Sequence, residues 1–372
     1  MKTNFNLTYL YSLFFFVLGM SGIGGLNFLY ELSLNSVYNT VLAILSILFL
    51  VGLLSKKLQL KFNNYTRLFM LLFIVASFSY LFTSFDEFSE RKYFLFFGSG
   101  LLLSFFSSSI KPELYRYLPK AIIFFAVINL LVLFGYLKKF GGIEELKWSM
   151  ITEANTDVIY ISRAMGLGVL ASFFYLKNKM LKITLAISLI FCMLILNEIG
   201  PILAILLSVF AFYSRKNSAY LLMAIFLGIF FYFFVIEKFI ADLTLEGVLS
   251  DPRVDIYIKN LNYFLNHPFC GIGIAGSANI VGEYQSAHNI FLEIAAEFGI
   301  IGLIPFLGMV VLLFDKFLKN KNFLFSYLWL YSFIVVQFSG DIALNTMFWA
   351  FSAIFMSMSI NNDDNISIRL NI

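Results

Sequence analysis

Ionisable residues that could transfer a proton occur at the start of an apolar run. The stretch SAHNIFLEIAAEFGIIGL, residues 286–303, holds His288, Asn289, Glu293 and Glu297. An imidazole at a helix N-terminus is biased toward the neutral form, which can accept a proton. The spacing of four places Asn289 and the two glutamates in a polar stripe that follows the helix for about 12 Å. No lysine or arginine lies near these acids in the sequence. The alternative is that His288 only caps the helix.

The stretch SDPRVDIYIKNLNYFLNHPF, which begins at Ser250, has the chemistry of a helix start. Ser250 or Asp251 is suited to the N-cap and Pro252 to the first turn. Apolar residues then recur every three or four positions: Val254, Tyr257, Ile258, Leu261, Phe264 and Leu265. This spacing predicts an amphipathic helix that lies along the membrane surface.

Arg253 lies in the first turn of this predicted helix, where the helix dipole makes a cation mildly unfavourable. A bound anion reverses the sign of that effect. Backbone N–H groups and a guanidinium together form a site suited to phosphate. The alternative is that Arg253 pairs with Asp251 or Asp255 at the surface.

A second arginine, Arg163, lies inside the apolar run VIYISRAMGLGVLASFFYL. An arginine in a membrane usually faces a cavity or a partner because its burial is costly. A shallow position that lets the side chain reach the interface is the alternative. The other histidine, His267, has no polar stripe beside it and is interpreted as structural.

Residues 271–276, GIGIAG, match the pattern G-x-G-x-x-G, but a dinucleotide site needs a strand and a helix around that pattern. The chain has no room for such a unit, so the glycines are interpreted as tight turns beside the membrane. No paired His or Cys spacing suggests a metal site. Cys192 and Cys270 are interpreted as unpaired small residues.

The elements that position these residues are membrane spans. The chain has 372 residues, of which 60% are hydrophobic and 13% charged, whereas soluble domains average about 25% charged. At roughly 20 residues per crossing, this length allows about 12 helices and no separate soluble domain. The candidate runs are 7–29, 37–54, 68–85, 93–110, 117–137, 158–176, 180–196, 199–214, 218–236, 288–314, 324–340 and 342–360.

The basic residues predict the orientation of these spans, because cytoplasmic connections are enriched in Lys and Arg. If both termini are cytoplasmic, the cytoplasmic segments hold most of the 26 basic residues: Lys2, Lys56, Lys57, Lys61, Arg67, Lys111, Arg116, Lys120, Lys177, Lys179, Lys182, Arg215, Lys216, Lys316, Lys319, Lys321 and Arg369. The N-terminal run is expected to be a retained span, since it is too long for a signal-peptide core. Two extracytoplasmic loops follow, residues 138–157 and, between the ninth and tenth spans, residues 237–287.

We therefore predict an all-α membrane protein in which residues 1–372 form a single polytopic domain. Its motifs resemble those of the bacterial O-antigen ligase and polymerase superfamily, in which an R precedes an hP with G-x-G, then an HN with E-x-G-x-x-G. The matching residues are Arg253, His267, Pro268, Gly271, Gly273, His288, Asn289, Glu297, Gly299 and Gly302.

The resemblance implies a glycosyltransferase of the bacterial inner membrane that acts at the periplasmic face. Such enzymes move a glycan from undecaprenyl diphosphate to an acceptor, by inverting displacement and without a metal or nucleotide sugar. With these roles, Arg253 and Arg163 would bind the diphosphate. His288 would be the general base, with Glu293 or Glu297 orienting it. A chain-length regulator is a further partner that the resemblance implies, and no nucleic acid is expected.

One departure from the family pattern favours a polymerase of surface polysaccharide, such as the O-antigen of lipopolysaccharide, over a ligase. Ligases commonly have a Ser- or Thr-rich turn ending in arginine between the seventh and eighth spans. Here that stretch reads ILNEIGPILAI, with Asn197 and Glu198. A ligase that transfers the glycan to lipid A-core is the first alternative. A flippase or exporter is the second, although a transporter should show interrupted helices in two related halves.

Overall fold

The structure is a computed structural model that describes most of the chain from residue 62 onward. The described residues are 40, 44, 47–52, 54, 62–83, 87–109, 115, 117–140, 150, 158–196, 198–216, 252–281, 287–319, 324–338 and 341–358. The predicted spans 7–29 and 218–236 lie outside these residues. So do most of the span 37–54, most of the predicted loop 138–157, and residues 237–251 and 282–286 of the predicted loop 237–287.

The regular structure of the described residues is helical, in agreement with the all-α prediction. The α-helices are α1 (Asn64–Phe82), α2 (Glu87–Leu95), α3 (Leu103–Ser109), α4 (Leu118–Phe140), α5 (Val158–Tyr175), α6 (Lys179–Ile195), α7 (Ile199–Lys216), α8 (Pro252–Asn266), α9 (Gly276–Val281), α10 (Ile290–Lys319), α11 (Leu324–Val335) and α12 (Thr346–Ser357). A π-helical segment, Phe96–Leu102, joins α2 to α3. Nine of the predicted apolar runs coincide with these helices.

Four of the described helices are long and apolar enough to cross a membrane: Asn64–Phe82, Leu118–Lys139, Val158–Tyr175 and Ile290–Lys319. Three shorter apolar helices are Ile199–Ser214, Leu324–Val335 and Thr346–Ser357. A helix satisfies its own backbone hydrogen bonds, which is why such apolar segments adopt it in lipid. The chain is therefore a helical membrane protein, while the total of about 12 spans and their orientation stay predictions.

Aromatic packing joins the helices that surround the polar residues. Helix α1 begins with a capping box in which Asn63 and Thr66 each bond the other's backbone N–H group. Further along α1, Phe69 stacks on Trp349 of α12 at 4.7 Å between ring centroids. Near its end, Tyr80 stacks on Tyr93 of α2 at 4.5 Å. Such ring pairs stabilise helix association where lipid supplies no hydrophobic driving force.

Helix α5 is central to the bundle. It packs against α4, α6, α7 and α11, and 78% of its span is buried, compared with 28% for α1. Polar residues on α5 are therefore held inside protein rather than exposed to lipid. This burial includes Arg163, whose side chain is only 6% exposed.

Helix α8 forms where the sequence predicts the amphipathic helix, but its buried side differs from the predicted apolar side. Ile256 and Asn260 are buried, and the Asn260 side-chain amide donates to the Ile256 carbonyl at 2.8 Å. The predicted apolar residues Ile258, Leu261 and Leu265 are instead 49%, 46% and 62% exposed. One side of α8 thus packs on the protein, and another side presents an exposed apolar surface. Its location at the membrane surface stays a prediction.

Helix α10 is two helical segments joined by a break at Gly299. This residue has φ 61° and ψ −159°, which is not helical. The first segment, residues 290–298, carries Glu293 and Glu297, and the second continues to Lys319. A short first segment that carries two acidic residues and a long second segment are therefore separated at one glycine.

Candidate functional site

The loop that follows α8 docks on the break in α10 through four backbone hydrogen bonds. Two N–H groups of the loop donate to α10: Ile272 to the Ala296 carbonyl at 2.9 Å, and Gly273 to the Glu297 carbonyl at 3.0 Å. Two N–H groups of α10 donate in return: Ile300 to the Pro268 carbonyl at 2.8 Å, and Ile301 to the Phe269 carbonyl at 3.3 Å. The break frees these groups from helical pairing, and burial without partners would cost several kcal/mol each.

The glycines of the two motifs permit this docking. Gly299 faces the loop so closely that an added Cβ would lie 2.3 Å from the Phe269 carbonyl oxygen. Gly271, with φ 67°, faces α10 in the same way, and its Cβ would lie 2.5 Å from the Glu297 carbonyl oxygen. Both positions combine a backbone conformation that favours glycine with no space for a side chain. The G-x-G pattern is thus a backbone-docking loop beside a broken helix.

We expect Gly299→Ala to destabilise the protein strongly. The backbone strain alone costs about 1–3 kcal/mol, and the overlap with Phe269 adds a cost of about 1–3 kcal/mol. The thermal midpoint of the detergent-purified protein measures this effect. Gly135→Ala is the matched control, because a Cβ there meets nothing within 4 Å. Equal midpoints for the two variants would contradict the docking role of Gly299.

The two glutamates of the first α10 segment share one buried lysine. Lys92 of α2 places its Nζ 2.6 Å from Oε1 of Glu293 and 2.7 Å from Oε1 of Glu297. Residues four apart lie on the same face of a helix, so a single ammonium can reach both carboxylates. Ser277 of α9 also donates to Oε1 of Glu297, at 2.5 Å. The cluster of these four residues, hereafter the Lys92 cluster, therefore joins three helices.

This cluster is removed from solvent. Lys92 is 3% exposed, and both Glu293 and Glu297 are 0% exposed. Buried charges are tolerated only when the geometry is good and further hydrogen bonds are made. The second oxygen of each glutamate, Oε2, is buried and has no hydrogen-bond partner among the described residues. Each carboxylate thus retains an acceptor oxygen that the described side chains do not use.

His288 and Asn289 lie immediately before the first segment of α10. Oδ1 of Asn289 accepts from the N–H groups of Phe291 and Leu292 at 3.0 and 3.1 Å, so Asn289 is the N-cap. His288 has φ 53° and is half-buried. Residues other than glycine adopt this region uncommonly, and such positions occur often at functional sites. His288 thus lies just before the N-terminus of α10, and Asn289 is the residue that caps the helix.

Arg163 is buried inside the bundle and donates a hydrogen bond to the segment before α12. Its Nη1 donates to Oδ1 of Asn345 at 3.0 Å, and its guanidinium lies 5.3 Å from the ring centre of Tyr160. The Tyr331 hydroxyl donates to the Arg163 backbone carbonyl at 2.9 Å. Burial at 6% exposure makes the shallow interfacial position a poor description of this arginine. Its interaction with a diphosphate stays a prediction.

The segment 341–345, before α12, connects the surroundings of Arg163 with those of Lys92. Asn345 contacts Arg163, while the buried Asp341 interacts electrostatically with Lys92. The segment is held by a bond from the Ser99 hydroxyl to the Ala343 carbonyl and by one from the Trp349 indole to the Ile342 carbonyl. Charged residues of α2 and α5 are therefore linked through one short segment.

The remaining predicted site residues are located as follows. Arg253 is in the first turn of α8, and its side chain lies outside the described part of the structure. Asp255, a predicted alternative partner of Arg253, pairs with Lys259 at 2.6 Å. Helix α8 packs against α10, so the helix of Arg253 and the helix that His288 precedes are neighbours. The second E-x-G-x-x-G glycine, Gly302, packs its backbone against Phe298.

Sequence reasoning missed Lys92 because the lysine lies 201 residues before Glu293. No cation lies near these acids in the sequence. The cation that pairs with them comes from α2, which is distant along the chain. A signal was present, since Lys92 borders the apolar run 93–110 and two buried acids require compensation. Serines contributed from other helices, such as Ser277, carry no comparable signal.

The fold and the site are those of a helical membrane protein. Its buried charges lie beside a broken helix on which a loop docks. Residues 183–307 match the family model described as O-Antigen ligase. The match confirms the resemblance to the O-antigen ligase and polymerase superfamily over these residues, which include Arg253, the G-x-G loop and Gly302. It supports a ligase- or polymerase-type function. No curated protein matches the chain.

Proposed function

We propose that this protein is a glycosyltransferase that polymerises lipid-linked oligosaccharide repeats of a surface polysaccharide. The donor would be a glycan on undecaprenyl diphosphate, and the acceptor a lipid-linked repeat unit at the periplasmic face of the inner membrane. The observation that carries the proposal is the docking of the G-x-G loop on the α10 break. It joins the helix of Arg253 and the helix that follows His288 into one unit, within the range of the family match.

In the proposed reaction, His288 accepts the proton of the acceptor hydroxyl as its oxygen attacks the anomeric carbon. A new glycosidic bond forms while the bond between the anomeric carbon and the phosphate oxygen breaks, with inversion. Charge grows on the departing diphosphate, so a nearby cation lowers the barrier. Arg253 at a helix N-terminus is suited to that position, because backbone N–H groups there add to its charge.

Arg163 is the candidate for a second contact with the diphosphate. Its support is its burial in the central helix and its bond to Asn345, which fixes the direction of the guanidinium. A fixed, desolvated guanidinium stabilises developing charge more than a mobile surface one does. No metal ion enters the proposal, because the arginines supply the positive charge.

A ligase is the second candidate function, because the matching family model is described as O-Antigen ligase. Against it, the connection between α6 and α7 is the short stretch 196–198 and includes no arginine. The ligase pattern has its second arginine at this connection. We therefore favour polymerisation, and the flippase stays the third possibility.

Deletion of the gene followed by gel separation of surface glycans distinguishes these functions. For a polymerase, we expect the lipid A-core to carry a single repeat unit in place of the long-chain ladder. A ligase defect instead leaves no glycan on lipid A-core and accumulates long polymer on the lipid carrier. Accumulation of single repeats on the cytoplasmic side would indicate a flippase. Either of the last two results would overturn the polymerase proposal.

A further inference from the structure

The Lys92 cluster connects the first segment of α10 to α2 and α9. Its acids lie on residues 290–298, the segment between His288 and the break at Gly299. The break interrupts the α10 helix, so the second segment alone does not set the direction of the first. Lys92 on α2 and Ser277 on α9 hold it by side chains.

The charges of this cluster make Lys92 the dominant anchor. One ammonium bonds two carboxylates, and Asp341 adds a third acidic group to its electrostatic surroundings. Removal of the only described cation among these buried acids would leave like charges close together in a medium of low dielectric constant. The first segment of α10 would then lose its attraction to α2 and gain an internal repulsion.

The geometry leads us to propose that Lys92 is a positioning residue for His288. It does not touch the substrate; it acts through Glu293 and Glu297, which fix the helix that begins two residues after His288. The catalytic consequence rests on the proposed function, in which His288 is the general base. A misplacement of a catalytic group by about 1 Å can lower a rate by about 100-fold, so such an anchor has a measurable effect.

The test uses the full-length protein in detergent with three variants. Lys92→Met removes the cation and is expected to lower the thermal midpoint, because the acids lose their partner. The triple variant K92M/E293Q/E297Q also removes the two carboxylate charges, and we expect it to regain most of that stability. Lys319→Met is the matched control, since Lys319 pairs with Asp315 on an exposed part of the same helix.

Hydrogen exchange of the backbone gives a readout that needs no activity. We expect residues 290–298 to exchange at least about tenfold faster in the triple variant, a loss of about 1.4 kcal/mol of local protection. Residues 306–319 of the same helix should keep their wild-type rates and serve as the internal reference. Unchanged exchange in 290–298 would overturn the proposal whatever the enzyme does.

Kinetics with a lipid-linked glycan then separate positioning from a merely structural role. For the folded triple variant, we expect kcat to fall by about 100-fold because His288 would be misplaced. The KM should stay within about threefold of the wild-type value because the donor still binds. A wild-type kcat in a variant with faster exchange would also overturn the proposal. If the wild-type protein itself transfers no glycan, the proposed function fails, and the exchange result still decides the anchoring role.

Discussion

Replacement of His288 by alanine is expected to remove long-chain glycan from the cell surface while leaving the protein folded. Loss of a general base typically lowers a rate by about 100- to 10,000-fold. Asn289, not His288, caps α10 through its side-chain oxygen, so the substitution leaves that cap in place. The measurement is a surface-glycan gel in a deletion strain that expresses each variant, with protein amount determined in the same membranes.

His267→Ala is the matched control for this substitution. It removes the same side chain from a position where His267 is exposed and is interpreted as structural. Its backbone carbonyl, which accepts from the Gly271 N–H group at 3.1 Å, is retained. We expect a normal ladder from the control. A normal ladder from His288→Ala at equal protein amount would remove His288 from the reaction.

Arg253→Ala is expected to lower glycan transfer by about 100- to 1,000-fold, the effect of losing one group that stabilises transition-state charge. The loss should appear mainly in kcat, because the charge of the diphosphate grows as the bond to the sugar breaks. Arg253→Lys should recover only part of the rate, since an ammonium cannot hold two phosphate oxygens in the planar geometry of a guanidinium. Transfer measured with a purified lipid-linked donor tests both statements.

Lys259→Ala controls for the general loss of positive charge from α8. Lys259 lies on the same helix, has 43% of its side chain exposed, and pairs with Asp255. Exposed pairs of this kind contribute little to stability, so we expect a rate within about twofold of the wild-type rate. Equal losses in Arg253→Ala and Lys259→Ala would indicate a general electrostatic effect rather than a diphosphate site.

These substitutions differ in kind from those at the docked loop. Gly299→Ala is expected to act on folding, because its Cβ would overlap the Phe269 backbone. His288→Ala and Arg253→Ala are expected to act on the reaction with little change in the thermal midpoint. The comparison of midpoint with rate across the three variants therefore separates the scaffold from the proposed chemistry.

The sequence predicted the helical membrane class because hydropathy is a local property. An apolar run of about 20 residues in lipid satisfies its backbone only as a helix. The runs on either side of Arg163 and Glu293 accordingly coincide with α5 and α10. Helix α8 was also predictable, since Pro252 and the spacing of its apolar residues are local signals.

The motif residues were visible as types and spacings, but their contacts were not. The sequence pattern pointed to tight turns at Gly271 and Gly273. Only the structure shows that this turn bonds to the carbonyls of Ala296 and Glu297 at a break in α10. Such hydrogen bonds depend on the tertiary contact between two segments of the chain, and hydropathy contains no information on that contact.

The sequence by itself thus determined a helical membrane protein and predicted candidate residues for proton transfer and phosphate binding, because these predictions follow from local composition and spacing. The tertiary structure decided which charges neutralise one another. Glu293 and Glu297 are paired with Lys92, which lies 201 and 205 residues away along the chain. Helix packing brings these groups together, and the cost of burying an unpaired charge in the interior makes their contact necessary.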